Sequence, residues 1–223
     1  MRVAAPFLFV PAYALKLLVP PPALSAEAQT SLVVAIEQRL AFVGDHLPAF
    51  LTAFALGQLG VAVLTALLLD PASGTVGAAL RRGVLLWPRF ALASVLISVP
   101  ASVGAFLVVP TLLVMGRTLA TGPALVAERP IGAMRAVAHS VVLTRGRTLS
   151  VSAIAAATMA ARLVASWPFE AMDAWLRDLH APNPVALAVI DAAAAGADML
   201  TEIGAVLVAV AAYRALTGAS RGI

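Results

Sequence analysis

Asp191, Asp198 and Glu202 stand seven and four residues apart inside one apolar run, 184–213. On a helix that spacing places all three carboxylates on one face. Ala195, Ala205 and Ala209 continue the face as small residues suited to close helix packing. Three bases, Lys16, Arg117 and Arg162, also fall inside apolar runs. An ionised side chain at the centre of a membrane span costs about 2.5–3.5 kcal/mol, so these groups are expected to turn inward and neutralise one another. The expected contacts are Asp198 with Arg117 or Arg162, directly or through water, with Glu202 facing the protein interior. Such a network has two uses. It can fix helix register as polar glue, or it can line a pathway or headgroup pocket for an ion or an anionic lipid. Snorkelling toward the span ends is a further alternative for Lys16 and Arg162.

Other chemistry has little to stand on. His46, His139 and His180 lie in three separate segments without the paired spacing of a metal site, and the chain has no Cys. No Ser-His-acid set follows from spacing, and no glycine fingerprint for phosphates is present. The expectation is therefore a protein that is not an enzyme, with no cofactor and no metal.

The elements that must position the charges follow from composition. The 223 residues are 61% hydrophobic and 12% charged, with a mean hydropathy of +0.97. That charged fraction is about half the norm for a soluble domain, and a bilayer is the solvent that accommodates it. Backbone groups in a bilayer need internal partners, so the spans are helices or a closed barrel. Long, unbroken runs rich in Ala and Leu favour helices. Apolar runs lie at about 3–23, 48–69, 90–109, 110–127, 148–168 and 184–213. The expected fold is one all-α, polytopic transmembrane domain over 1–223, with about six spans. Five is the alternative, with 90–127 as one kinked helix. Pro100, Gly104 and Pro110 offer places to break that region.

Orientation follows from the loops. Residues 24–47 (Glu27, Glu37, Arg39, Asp45) and 169–183 (Glu170, Asp173, Arg177, Asp178) are net acidic. Residues 70–89 (Asp70, Arg81, Arg82, Arg89) and 128–147 (Glu128, Arg129, Arg135, Arg145, Arg147) are net basic. Basic loops mark the cytoplasmic side, which puts both termini inside and Lys16, Arg117, Arg162 and Asp198 in the outer half of the bilayer. The net charge of +4 then reflects anionic headgroups at that face rather than nucleic acid. The start of the chain also fits a signal peptide, but Lys16 and the prolines 20–22 favour a retained first span.

Residues 76–97 and 131–154 each begin with a small pair and carry arginines into an apolar span. Both are expected to be short amphipathic helices on the inner surface, ahead of spans 3 and 5. In the second, Met134, Val137, Ala138 and Val141 follow helical spacing, while Arg135 and His139 share another face. Trp87, Trp167, Trp175 and Tyr13 are expected as aromatic anchors at helix ends.

The stretch TGPALVAERPIGAMRAVAHSVVLTRGRTL (121–149) resembles the glycerophosphoryl diester phosphodiesterase membrane-domain family, in its stand-alone bacterial form. Pro123, Ala127 and Glu128 match the end of one family span. Ala136, Ser140, Leu143, Thr144, Arg145 and Gly146 match the stretch before the next. The family's two arginines fall at Ala138 and His139 and its Trp at Val141. LLLDPASGTVGAALRRG (67–83) resembles the family's loop before the third span. The resemblance implies a helical bacterial inner-membrane domain, without the hydrolase activity that some relatives carry in a soluble domain.

Two functions are consistent with these features. The leading expectation is a scaffold, lipid-organising element or accessory subunit, whose partners are membrane lipids and other membrane protein subunits. The runner-up is a small transporter or lipid-handling protein that uses the buried charged face.

Overall fold

The computed structural model describes residues 4–20, 22, 25–70, 75–103, 108–128, 130–177 and 183–220, and among them all regular structure is helical. In chain order the helices are α1 (Ala5–Leu18), α2 (Ala26–Thr30), α3 (Leu32–Asp45), α4 (Leu47–Leu69), α5 (Val76–Val103), α6 (Val108–Thr118), α7 (Thr121–Ala127), α8 (Ala133–Leu143), α9 (Thr148–Arg177) and α10 (Pro184–Ser220). Five stretches are long and apolar enough to cross a bilayer: α4, α5, α6 with α7, α9 and α10. Only 11 to 33% of each span is buried by protein, and the outward residues include Leu51, Leu85, Leu92, Val95, Leu163 and Leu200. Lipid is the solvent that covers such faces. The chain is a multi-pass membrane protein.

The first apolar run, 3–23, gives a shorter helix than the expected span. Val19 precedes Pro20, a position that disfavours helical backbone, and α1 stops at Leu18. Its 14 residues rise about 21 Å at about 1.5 Å each, short of a hydrocarbon core of about 30 Å. It still belongs to the bundle, lying between α4 and α10. Leu8 packs over Gly60, and Ala4 joins Val63, Leu64, Val206 and Val210 in a buried cluster.

The region 90–127 is shared by two candidate spans, the first beginning well before residue 90: α5 is described to Val103 and α6 from Val108. Pro100 is carried inside α5. Pro110 sits in the first turn of α6, where a missing N–H removes no helical bond. Gly104 lies outside the described residues. The amphipathic helix expected before span 3 is not a separate element: 76–103 is one continuous helix of 28 residues. It runs on through Pro88; Gly83 packs closely against Val63 of α4, and Arg82 pairs with Asp70 at 2.9 Å. The second such helix exists as α8. The two similar sequences thus fold differently. Residues 26–45, read as an acidic loop, form α2 and α3 instead. Trp87 is a further correction. It is half-buried between α4 and α5, and its Nε1 donates to the Ala55 carbonyl at 2.7 Å. Trp167 and Trp175 are exposed.

The residues behind the family resemblance have a structural account. The helix α6 ends at Thr118 and α7 begins at Thr121, which strands backbone groups at the break. Ser140 of α8 fills the gap: its hydroxyl donates to the Arg117 carbonyl at 2.8 Å and accepts from the Ala120 N–H at 3.1 Å. Thr144, one turn further on, lies 2.9 Å from the Ser140 carbonyl and 3.4 Å from that of Arg117. Both residues are fully buried. Leaving such groups unmet costs about 1–3 kcal/mol each, so the Ser-x-x-x-Thr spacing is what docks α8 on the broken span. Gly146, at φ +81°, turns the chain from α8 into α9 in a conformation that other residues rarely adopt. Pro123 is buried in α7. Glu128 ties the end of α7 to two partners: Tyr213 donates to it at 2.8 Å, and His139 Nε2 lies 2.8 Å from the same oxygen. His139 is therefore a bonded residue rather than a free surface histidine.

Candidate functional site: a charged cavity between four helices

The charged residues expected to form one network separate into distinct places. Asp191 lies at the far end of α10, buried, where Arg177 reaches it at 3.3 Å. Arg177 also holds Asp173 through both carboxylate oxygens, at 2.8 and 2.9 Å. This cluster joins the end of α9 to the start of α10, and Lys16 takes no bonded part in it. Arg117, on α6, makes no ion pair among the described residues, and its Nε is buried without a partner. Asp198 therefore makes no direct contact with Arg117 or Arg162 among the described residues, and its ion-pair partner is Lys16. Arg117 points from a helix that packs against α5, α8 and α9, not against α10.

The four remaining groups come together. Lys16 of α1 lies 3.9 Å from Asp198, and Arg162 of α9 lies 3.5 Å from Glu202. Asp198 and Glu202 are one helical turn apart on α10, so α10 supplies both acids while the bases arrive from helices on either side. All four line a cavity of about 460 Å³, a size typical of small-ligand sites. Gln58 of α4 adds a neutral polar group, and the rest of the wall is apolar, including Leu8, Pro11 and Leu15 of α1 and Phe54 of α4.

The two pairs are looser than the others in this chain. Arg82–Asp70 and Arg177–Asp173 close to 2.9 and 2.8 Å. Among the described residues, none of the side chains of Lys16, Asp198, Arg162 and Glu202 makes a hydrogen bond. An ammonium, a guanidinium and two carboxylates thus face the cavity with most of their bonding capacity unused.

A second, smaller cavity of about 220 Å³ lies between α4, α5, α6, α7 and α10. It shares Gln58, Val61 and Glu202 with the first. Gln58 accepts a hydrogen bond from Ser94 at 2.7 Å. The Thr121 hydroxyl, buried at the break between α6 and α7, lines this inner cavity and has no partner among the described residues. Gln58, Ser94 and Thr121 were missed by reading the sequence. Each is one of several polar residues in its apolar run, and no spacing singled it out.

The arginines of the basic segment, Arg135, Arg145 and Arg147, are exposed on and after α8, together with Met134 and Val142. Arg129 lies outside the described residues, as does His180. Val137 packs against the bundle core. Among the described residues no group of His, Cys, Asp and Glu could hold a metal ion. Compared with models of known protein families, with curated proteins and with solved structures, the chain matches none.

Proposed function

We propose that this chain is a small lipid-handling or transport protein of a bacterial inner membrane, working without covalent chemistry. The observation that carries the reading is that Lys16, Asp198, Arg162 and Glu202 line a cavity instead of closing on one another. Charges kept only to fix helix register are better served by short, hydrogen-bonded contacts such as Arg177–Asp173. The broken span α6–α7, beside an inner cavity that shares Glu202, also suits transport, since substrate sites favour interrupted helices. The motif residues Pro123, Glu128, Ser140, Thr144, Arg145 and Gly146 accord with the membrane-domain family described above. In this reading they build the platform rather than the site.

The test is transfer of a headgroup-labelled phospholipid across proteoliposome membranes. The wild type is expected to accelerate it, and the variant Lys16→Met, Asp198→Asn, Arg162→Met, Glu202→Gln to fold and insert but lose at least ten-fold in rate. Equal transfer by both proteins would remove the charged cavity from the function.

The same reading places the C-terminus and α8 at the cytoplasmic face, with Arg135, Arg145 and Arg147 near anionic headgroups. Reporter fusions after residue 30 should read outside, and fusions after residue 138 inside. A fusion at 138 that reads outside contradicts this orientation.

A second reading, a scaffold or accessory subunit, is favoured by a different feature. Between α9 and α10 runs an apolar groove of about 930 Å³, lined by small residues including Ala157, Ala161, Ala165, Gly196 and Gly204. Small residues let another helix approach closely. Stable partners that co-purify with the protein and depend on this groove would favour that reading.

A further inference from the structure

We infer that the cavity between α1, α4, α9 and α10 selects a zwitterion: an ammonium and an anionic oxo group joined by a short linker, with no net charge. The inference rests on the lipid-handling reading and names its ligand. It follows from three features of the lining. The first is charge balance. Lys16 and Arg162 match Asp198 and Glu202 one for one, so the empty wall is neutral. A ligand of net charge would leave an uncompensated charge in a membrane interior, where that is expensive. A ligand carrying both signs leaves the sum unchanged.

The second feature is the looseness of the pairs. At 3.9 and 3.5 Å, each is a single contact without a hydrogen bond. The ammonium of Lys16 and the guanidinium of Arg162 can donate only, and the two carboxylates can accept only. Satisfying all four requires a ligand with acceptors for the bases and donors for the acids. A neutral alcohol or amide offers both but lacks the charge that makes such bonds strong.

The third feature is the arrangement. Both acids project from α10 one turn apart, a rise of about 6 Å, and form a negative wall for the ligand's ammonium. The bases come from α1 and α9, which both pack on α10, so the cavity offers the ligand's anionic group cations from two helices. Leu8, Pro11, Leu15 and Phe54 offer apolar cover for whatever carries the headgroup. A zwitterionic phospholipid headgroup and a free zwitterionic solute share this chemistry.

The experiment uses the full chain in detergent and follows bound species by native mass spectrometry and thermal stability. The probes are phosphatidylethanolamine, phosphatidylglycerol, free glycerophosphoethanolamine and glycine. Phosphatidylethanolamine is expected to bind at least ten-fold tighter than phosphatidylglycerol. Glu202→Gln makes the lining net positive and should shrink that preference ten-fold or reverse it. Arg162→Gln makes it net negative and should weaken phosphatidylglycerol further; it also serves if Glu202→Gln does not fold. Saturation by glycerophosphoethanolamine or glycine at the affinity of the lipid would support the zwitterion and assign it to a free solute. Equal binding of both lipids by the wild type, unchanged in the two variants, overturns the zwitterion while leaving a lipid site standing. If none of the four probes binds, the lipid-handling reading itself fails.

Discussion

Asp198→Asn is expected to destabilise the protein by about 2–3 kcal/mol, because it leaves the Lys16 ammonium unpaired inside a membrane bundle. The loss stays below the full cost of breaking a buried pair because the 3.9 Å contact lines a cavity and both groups keep about a quarter of their side-chain surface open, 26% for Lys16 and 21% for Asp198. Lys16→Met alone should cost a similar amount, now through an unpaired carboxylate. The double variant should recover most of either loss, since the uncompensated charge is the main penalty and not the absence of a weak contact. Reversible unfolding in mixed micelles reads all three differences, and their comparison isolates the coupling. A double variant whose loss equals the sum of the singles means that Lys16 and Asp198 do not act on each other.

Gly116→Val should be more damaging still. At this position α6 crosses α9 so closely that a Cβ would lie 2.7 Å from the Ser152 Cα, N and Oγ atoms. Two of those are backbone and cannot rotate away, so the helices must separate. Overpacking in a tight interior costs about 1–3 kcal/mol, occasionally more, and here it also disturbs the Arg117 carbonyl that Ser140 caps one residue away. We expect a loss above 3 kcal/mol, or failure to accumulate in the membrane. Gly57→Val is the control, because a Cβ there meets nothing within 4 Å. Equal effects at the two glycines would contradict the proposed crossing.

The spans were legible because a bilayer demands long apolar helices, and the runs beginning near 48, 148 and 184 supplied them. The second amphipathic helix was legible from its periodicity, which matches α8. Its first counterpart was not. A basic amphipathic stretch looks the same whether it lies along a surface or runs straight into a span, as residues 76–103 do in packing on α4. The helices α2 and α3 were missed because their charges were read as loop character, although Ser25 caps α2 through the Ala28 N–H. In the site, the shared face of Asp198 and Glu202 followed from spacing alone. Which base met which acid did not. Pairing depends on which helices become neighbours, and α6 packs away from α10. Thus Arg117 was a plausible partner in sequence and is none in space.

In this structure the charged residues face an open cavity at the depth of the membrane rather than a dry interface. The natural absence of Cys allows a direct measurement by single-cysteine labelling. Gly57 lines the cavity and has room for a side chain. Leu56, at the same depth on α4, is 38% exposed on the helix surface. A charged, membrane-impermeant thiol reagent applied to the protein in lipid bilayers should modify Gly57→Cys and spare Leu56→Cys. If Gly57→Cys stays as unreactive as Leu56→Cys, the four charges are packed dry and the account of a ligand cavity is contradicted.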